Sequence, residues 1–301
     1  MDSTLDLRTE IQEFLRSRRS RITPDMAGLP AYGGNRRVKG LRREEVALLA
    51  GVSVEYYVRM ERGALAGTSD AVLDALASAL RLDDAERDHL FHLARQSGAP
   101  GGRRHRQSPA TVRPALQEVL DAITGAPALI RNARHDVLAM NQLARALFSP
   151  VLAHPRRPVN LARFVYVHPR EAAVFFVDYD HATRNAAAML RMEVGRNPHD
   201  EELVALVAEL TACSELFRQQ WSSRDVRLHG HGCKRVNHPV VGLLDLNFES
   251  MDLPTESGLQ LNVYTAPAGG PAADKLAVLA SWATQEASAI ELLGAGGEET
   301  R

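Results

Sequence analysis

The sequence predicts a mainly α protein with a smaller antiparallel sheet, built as an all-α domain followed by an α+β domain. Three observations predict it. Apolar residues in the first 95 positions recur at helical spacing. Residues 96–109 then break the pattern with Gly, Pro, Ser and positive charge, and no apolar period. Beyond them, strand-like alternation such as Leu244, Leu246 and Phe248 against Asp245, Asn247 and Glu249 is interleaved with further helical segments. A length of 301 residues agrees, at roughly 150 residues per domain.

The elements follow in order. Residues 5–18 place Leu7, Ile11, Phe14 and Leu15 on one helical face. Pro24, Pro30 and the Gly33-Gly34 pair make 20–40 a long loop. Two short helices, 42–50 and 54–62, flank Gly51-Val52-Ser53. Ser69 caps a helix through Leu80, and Asp83 starts another with Leu90, Phe91 and Leu93 inward. The domains are therefore 1–95 and 110–293, with a linker over 96–109 and a frayed tail over 294–301. In the second domain, 114–123 reads as helix, 128–141 as strand, turn and strand, and 142–148 as helix. Helical patterns follow at 160–167, 170–194 and 199–222. Three strands, 236–241, 243–252 and 259–266, form a sheet with one buried and one wetter face, and a helix spans 271–293.

Composition excludes several classes. At 45% hydrophobic and 24% charged residues the chain is neither mostly disordered nor collagen-like. No apolar run approaches the roughly 18 residues of a membrane span. The first 20 residues are charged throughout and lack a secretory h-region, so a cytoplasmic location is expected. Two cysteines, Cys213 and Cys233, exclude a disulfide framework. Only Lys39, Lys234 and Lys275 are lysine; every other basic residue is arginine, whose planar fork suits phosphates and guanine edges. The net charge of -1 hides a local excess: Arg36, Arg37, Lys39, Arg42 and Arg43 occur together without an acid. Such a patch on a near-neutral chain points to nucleic acid.

That patch leads into the segment 40–63. Gly51 supplies a positive φ to end the first helix, and Ser53 can cap the second. Val46, Ala47 and Ala50 would face Val52, Tyr57 and Met60, with the small alanines allowing close approach. Val54, Glu55, Tyr56, Arg59 and Arg62 would then point outward. This is a helix-turn-helix, whose second helix fits a B-DNA major groove about 12 Å wide. Arg42 and Arg43 would meet phosphates, Arg59 a guanine, Glu55 a cytosine N4 and Val54 a thymine methyl, while Tyr56 would reach a base or the backbone. A helical hairpin with a solvated charged face is the plainer alternative.

Residues 42–50 and 54–62, ending in Met60-Glu61-Arg62-Gly63, resemble the lambda-repressor-like (XRE) helix-turn-helix family. The leader 36–45 resembles that of actinobacterial regulators with an MmyB-like C-terminal domain, except that Lys39 stands where Pro is usual. The resemblance continues through Tyr166-Val-His-Pro-Arg170, Val177-Asp178-Tyr179, Gly195-Arg-Asn-Pro198, Phe217-Arg218, Trp221, Asp225-Val-Arg227, Lys234-Arg235, His238-Pro-Val-Val-Gly242 and Ser281-Trp282-Ala283, and covers roughly 5–290. Tyr179, where Trp is common, and Val236-Asn237, where aromatic and His residues are frequent, depart from it. The resemblance implies a PAS-like sheet with helices around an apolar cavity, and a fatty-acid-like ligand in at least some members.

The larger apolar candidates for lining such a cavity are Phe164, Phe175, Phe176, Met189, Met192, Phe217 and Phe248; for any one of them plain core packing is the simpler explanation. An acyl chain also needs a polar anchor, for which Arg227, Lys234, Arg235 and His238 are the cationic candidates; a solvated or ion-paired surface role is the alternative for each. His229, His231, Cys233 and Cys213 have the residue types for zinc, but a Gly-rich turn explains the spacing, and no metal is expected. Asp178, Asp180, His168 and His181 are acid–base types without an oriented nucleophile or phosphate loop, so no catalytic residue is assigned. The expectation is a non-enzymatic, ligand-responsive regulator. It would bind duplex operator DNA, need no cofactor beyond a bound fatty acid or similar apolar ligand, and act as a homodimer because one helix reads only about 4–5 base pairs. An enzyme with a catalytic second domain and a protein-interaction module are the rivals.

Overall fold

A computed structural model describes residues 7–29, 38, 40–98, 111–198, 200–227, 230–256 and 258–295, with side chains to 284. In chain order the elements are α1 (Leu7–Arg21), α2 (Arg43–Leu49), α3 (Val54–Glu61), α4 (Asp70–Ala79), α5 (Asp84–Gly98), α6 (Pro114–Ala122), β1 (Ala128–Asn132), β2 (Asp136–Met140), α7 (Gln142–Leu147), α8 (Ser149–Leu152), β3 (Val159–Asn160), α9 (Leu161–Val167), α10 (Pro169–Phe175), α11 (Tyr179–Arg196), α12 (Glu201–Cys213), α13 (Glu215–Ser222), β4 (His231–His238), β5 (Gly242–Asp252), β6 (Leu259–Thr265) and α14 (Pro271–Ala295). The fold class is the expected one: helices dominate, and an antiparallel sheet stands in the second half. The basic residues Arg36, Arg37 and Lys39 and most of the stretch 96–109 lie outside the described residues.

Two compact units form, and they do not follow chain order. One holds Met1–Gln107 together with Ala187–Leu228; the other holds Ser108–Ala186 together with His229–Arg301. In the first unit, Ile11, Phe14 and Leu15 of α1 meet Val46, Tyr57, Met60, Leu76 and Leu90 in one core, each fully buried. Burying a side chain of this size stabilises by roughly 1.5–3 kcal/mol. Met192 and Val226, from the later segment, join that same core. Gly195 is needed there, because a Cβ on it would stand 2.3 Å from His89 Cε1.

In the second unit six strands form an antiparallel sheet in the order β3-β2-β1-β6-β5-β4. The two-residue period separates its faces. Ala128, Ile130, Leu261 and Val263 pack with Leu120 of α6 on one face. The opposite face carries Val236, His238, Leu246, Phe248 and Tyr264, all buried. Phe148, Phe164, Phe175 and Phe176, from the ends of α7 and α10 and from α9, cluster with it. Phe148 and Tyr264 have ring centroids 5.4 Å apart, and Phe175 and Phe176 4.8 Å.

Several boundaries differ from the sequence expectation. The helix expected over 170–194 breaks after Phe175, because Phe176 turns extended and bridges to Val236, and the Val177 N–H donates to Arg235 O at 3.2 Å. The helix expected over 199–222 breaks at Ser214, whose hydroxyl accepts from Phe217 N at 3.2 Å to cap α13. The strand expected over 236–241 is displaced to His231–His238, where it pairs residue for residue with β5. The short α8 and β3 carry too few residues for a period to show.

Candidate nucleic-acid interface and ligand-binding sheet

The helix-turn-helix is set by local chemistry. Gly51 has φ +65°, and its amide donates to Leu48 O at 3.2 Å, ending α2. Ser53 Oγ accepts from Tyr56 N at 3.1 Å and starts α3. The Arg42 N–H donates to Glu45 Oε2 at 2.6 Å, closing the first turn of α2. Val46, Ala47, Ala50, Tyr57 and Met60 are buried as expected, and Val52 is half-buried.

The outer face of α3 carries the residues expected on it. Ser53, Val54, Glu55, Arg59 and Arg62 are exposed and Tyr56 is half-buried. The Arg59 guanidinium lies 4.8 Å from the centre of the Tyr56 ring. Val54, Glu55, Val58, Arg59 and Arg62 line one surface groove with Arg8 of α1, a residue that no motif in the sequence marks. Arg8 is held there by a 3.0 Å bond from its Nε to Arg62 O.

Arg42 is exposed, as expected for a phosphate contact. Arg43 has a second role. Its Nε donates to Glu61 Oε2, although half of its side chain stays exposed. Glu61 is 2% exposed and also accepts from Arg19 Nε at 2.6 Å and Tyr57 Oη at 3.3 Å. Burial and the Glu61 charge push the Tyr57 phenol up, so it remains a donor. Glu61 thus ties α1, α2 and α3 together. The MERG stretch that marked the motif contains it, but periodicity alone could not reveal a buried acid.

The same compact unit holds a second buried carboxylate, Glu10. Arg191 Nη1 contacts both oxygens of Glu10 at 2.8 Å, and the guanidinium stacks 3.8 Å from the centre of the Trp221 ring. Arg224 also donates to Glu10, and His89 Nε2 stands 3.8 Å away. Burial alone would raise the Glu10 carboxyl, but His89, Arg191 and Arg224 outweigh it and hold it at about 2. Burial pushes His89 down, so it is neutral near pH 7.

The expected ligand residues do not come together in one place. Met189, Met192, Phe217 and Arg227 fall in the first compact unit. There Met192 is part of the helical core and Phe217 stacks on Trp221 at 5.3 Å, while Met189 is half-buried and Arg227 exposed. Phe164, Phe175, Phe176 and Phe248 belong to the second unit, where they gather on the inner sheet face. Arg235 points away from that face, pairing with Asp178 at 2.7 and 3.0 Å. His238 is inside but satisfied: Nδ1 accepts from Val240 N at 3.2 Å and Nε2 donates to Ala146 O at 3.0 Å, with burial lowering its pKa.

Of the four cationic candidates only Lys234 enters the aromatic cluster. Its Nζ lies 5.5 Å from the Phe176 ring centre and 5.6 Å from those of Phe248 and Tyr264. Burial, then the charge of Arg131, lowers it to about 8. The acid–base types are dispersed: Asp178 serves Arg235, Asp180 serves Arg184 at 2.7 Å, and His168 stacks on His154 with centroids 3.7 Å apart. Among the described residues no cluster of three or more His, Cys, Asp or Glu is placed to hold a metal; His229 lies outside them. Nor is any described helix long and apolar enough to cross a membrane.

Comparison with known families agrees with both halves. The family model for the MmyB-like transcription regulator ligand binding domain matches residues 112–279, more than half of the chain, and one for a helix-turn-helix domain matches residues 13–90. No curated protein matches the sequence. A helix-turn-helix domain followed by that ligand-binding region places the chain in the family of MmyB-like transcription regulators.

Proposed function

We propose that this regulator binds a two-fold DNA operator as a homodimer in the cytoplasm, inserting α3 of each copy into a major groove. The observation that carries the reading is the division of α3: Tyr57 and Met60 are buried, while Val54, Glu55, Arg59 and Arg62 are exposed. Arg59 is the guanine reader, by the bidentate geometry of a guanidinium on O6 and N7. Arg42 and Arg43 at the start of α2 contact phosphates, joined by the basic leader Arg36, Arg37 and Lys39. A fatty-acid-like or other small apolar molecule on the aromatic face of the sheet biases the protein between two DNA affinities, which requires that it favour one state over the other.

Selection of duplexes from a randomised pool by the full chain tests this. The expected result is a symmetric site with half-sites about one helical turn apart. Arg59→Ala should then cost about 1–3 kcal/mol and relax preference at one base pair per half-site. Recovery of no preferred duplex, or an Arg59→Ala protein that selects the same site equally well, would refute it.

A further inference from the structure

The outer surface of α3 carries more positive charge than α3 itself supplies. Arg8, Arg59 and Arg62 line one open groove with Val54, Glu55, Val58 and Ala64, so three cations stand there with one acid. Arg59 lies in the last turn of α3, and Arg62 caps its end. Arg8 comes from the first turn of α1, 54 positions before Arg62. It is exposed, yet tethered: its Nε donates to Arg62 O at 3.0 Å.

This approach of α1 to α3 is built around one glycine. Gly63 has φ +95°, a left-handed value that favours glycine, and its N–H donates to Met60 O at 2.9 Å as the chain leaves α3. A Cβ on it would stand 2.3 Å from Arg8 Cγ and 2.8 Å from Arg8 O. Only a residue without a side chain fits, so the last position of the Met60-Glu61-Arg62-Gly63 stretch is what admits Arg8 to the reading surface. The start of α2 reaches the same place from another direction, because Arg43 bonds Glu61, the residue before Arg62. Arg8 and Arg43 are thereby brought to one end of α3, from α1 and α2 respectively. A phosphate asks for charge and a donor, not for a pattern of acceptors, and arginine satisfies it well.

We infer that Arg8 is a further DNA-contacting residue, which holds a backbone phosphate close to the one met by Arg43 and adds charge without base readout. The inference rests on the duplex-binding reading above and extends its contact surface from α2 and α3 to α1. Phosphate contacts fix the register and orientation of a protein on the duplex. Since Arg8 is tethered to the residue that caps α3, its contact holds the helix that carries Arg59 in register.

The test measures binding of the full chain to the duplex it selects and to a mixed-sequence duplex of the same length, at several salt concentrations. Arg8→Gln keeps a donor for Arg62 O and removes the charge, while Arg8→Lys keeps the charge. One phosphate contact contributes about 0.9 to the slope of log affinity against log salt, so the parent's advantage over Arg8→Gln should grow about 3.5-fold on dilution from about 200 to about 50 mM salt, on both duplexes. The selected sequence should stay the same. Arg8→Lys should recover most of the parent slope, which a tether serving only the fold would not do. Equal slopes for parent and Arg8→Gln, a changed sequence preference, or an Arg8→Lys slope no steeper than that of Arg8→Gln overturns the inference. A parent that binds neither duplex removes the regulator reading and this contact together, whereas a parent that binds with a slope indifferent to Arg8 removes this contact alone.

Discussion

Replacing Glu10 by glutamine preserves the shape of a buried side chain and removes only its charge. Arg191, 1% exposed, would then keep its contact with the Trp221 ring but lose its carboxylate. Two routes give the cost. The carboxyl is held at about 2 against an ordinary 4.5; at about 1.4 kcal/mol per unit this is worth about 3 kcal/mol. Removing one partner of a buried ion pair costs about 3–5 kcal/mol, in agreement. A loss of that size lowers the melting temperature by roughly 5–8 °C, at an unfolding entropy of about 2.1 cal/mol/K per residue over 301 residues. Trp221 reports on this unit, so fluorescence melts in a Trp282→Phe background are the assay. The pKa is depressed on folding, so the contribution is complete above the ordinary value of 4.5 and disappears as pH falls towards 2. The gap between parent and Glu10→Gln should therefore be full at neutral pH and close over that acid window. Equal melting at pH 7, or a gap that persists at about pH 2, would refute the reasoning.

Two further outcomes follow from the reading head. Arg43→Ala should reduce the salt dependence of DNA binding by about one counterion and weaken all duplexes alike, measured by titration at several salt concentrations. It should also lower the melting temperature, because Glu61 would lose one of the three partners it has among the described residues, keeping Arg19 and Tyr57. Ser53→Ala removes the cap of α3 and should cost about 1 kcal/mol in urea denaturation.

The reading head was legible because its signals are local. Gly51, Ser53 and the spacing of Val46, Ala47, Tyr57 and Met60 act within a few residues of themselves, and the structure places each as periodicity and capping require. The aromatic face of the sheet was legible only in part. Phe164, Phe175, Phe176 and Phe248 were recognisable as large apolar residues, but whether a cation joins them depends on which side of a strand it occupies. Starting the strand at 236 left Lys234 outside it; starting it at His231 puts Gly232, Lys234, Val236 and His238 on one face. Arg131 gave no local sign, since its place on the sheet is set by the pairing of β1 with β6, in which it stands opposite Gln260. Met192 and Phe217 show the other limit: an apolar stripe on a helix reveals that it will be buried, not against what.

The order of the chain within the first compact unit constrains how this protein can be divided. The helices that read DNA occupy residues before 98, yet Arg191, Met192, Arg224 and Val226, which neutralise Glu10 and complete the same core, come from a stretch inside the ligand-binding family's own match. A fragment ended at residue 107 would retain α3 and abandon its foundation, with an acid stranded in the interior and part of the core uncovered. The reading head of this protein is consequently not a detachable cassette, and grafting it onto another sensor would require carrying 187–228 along.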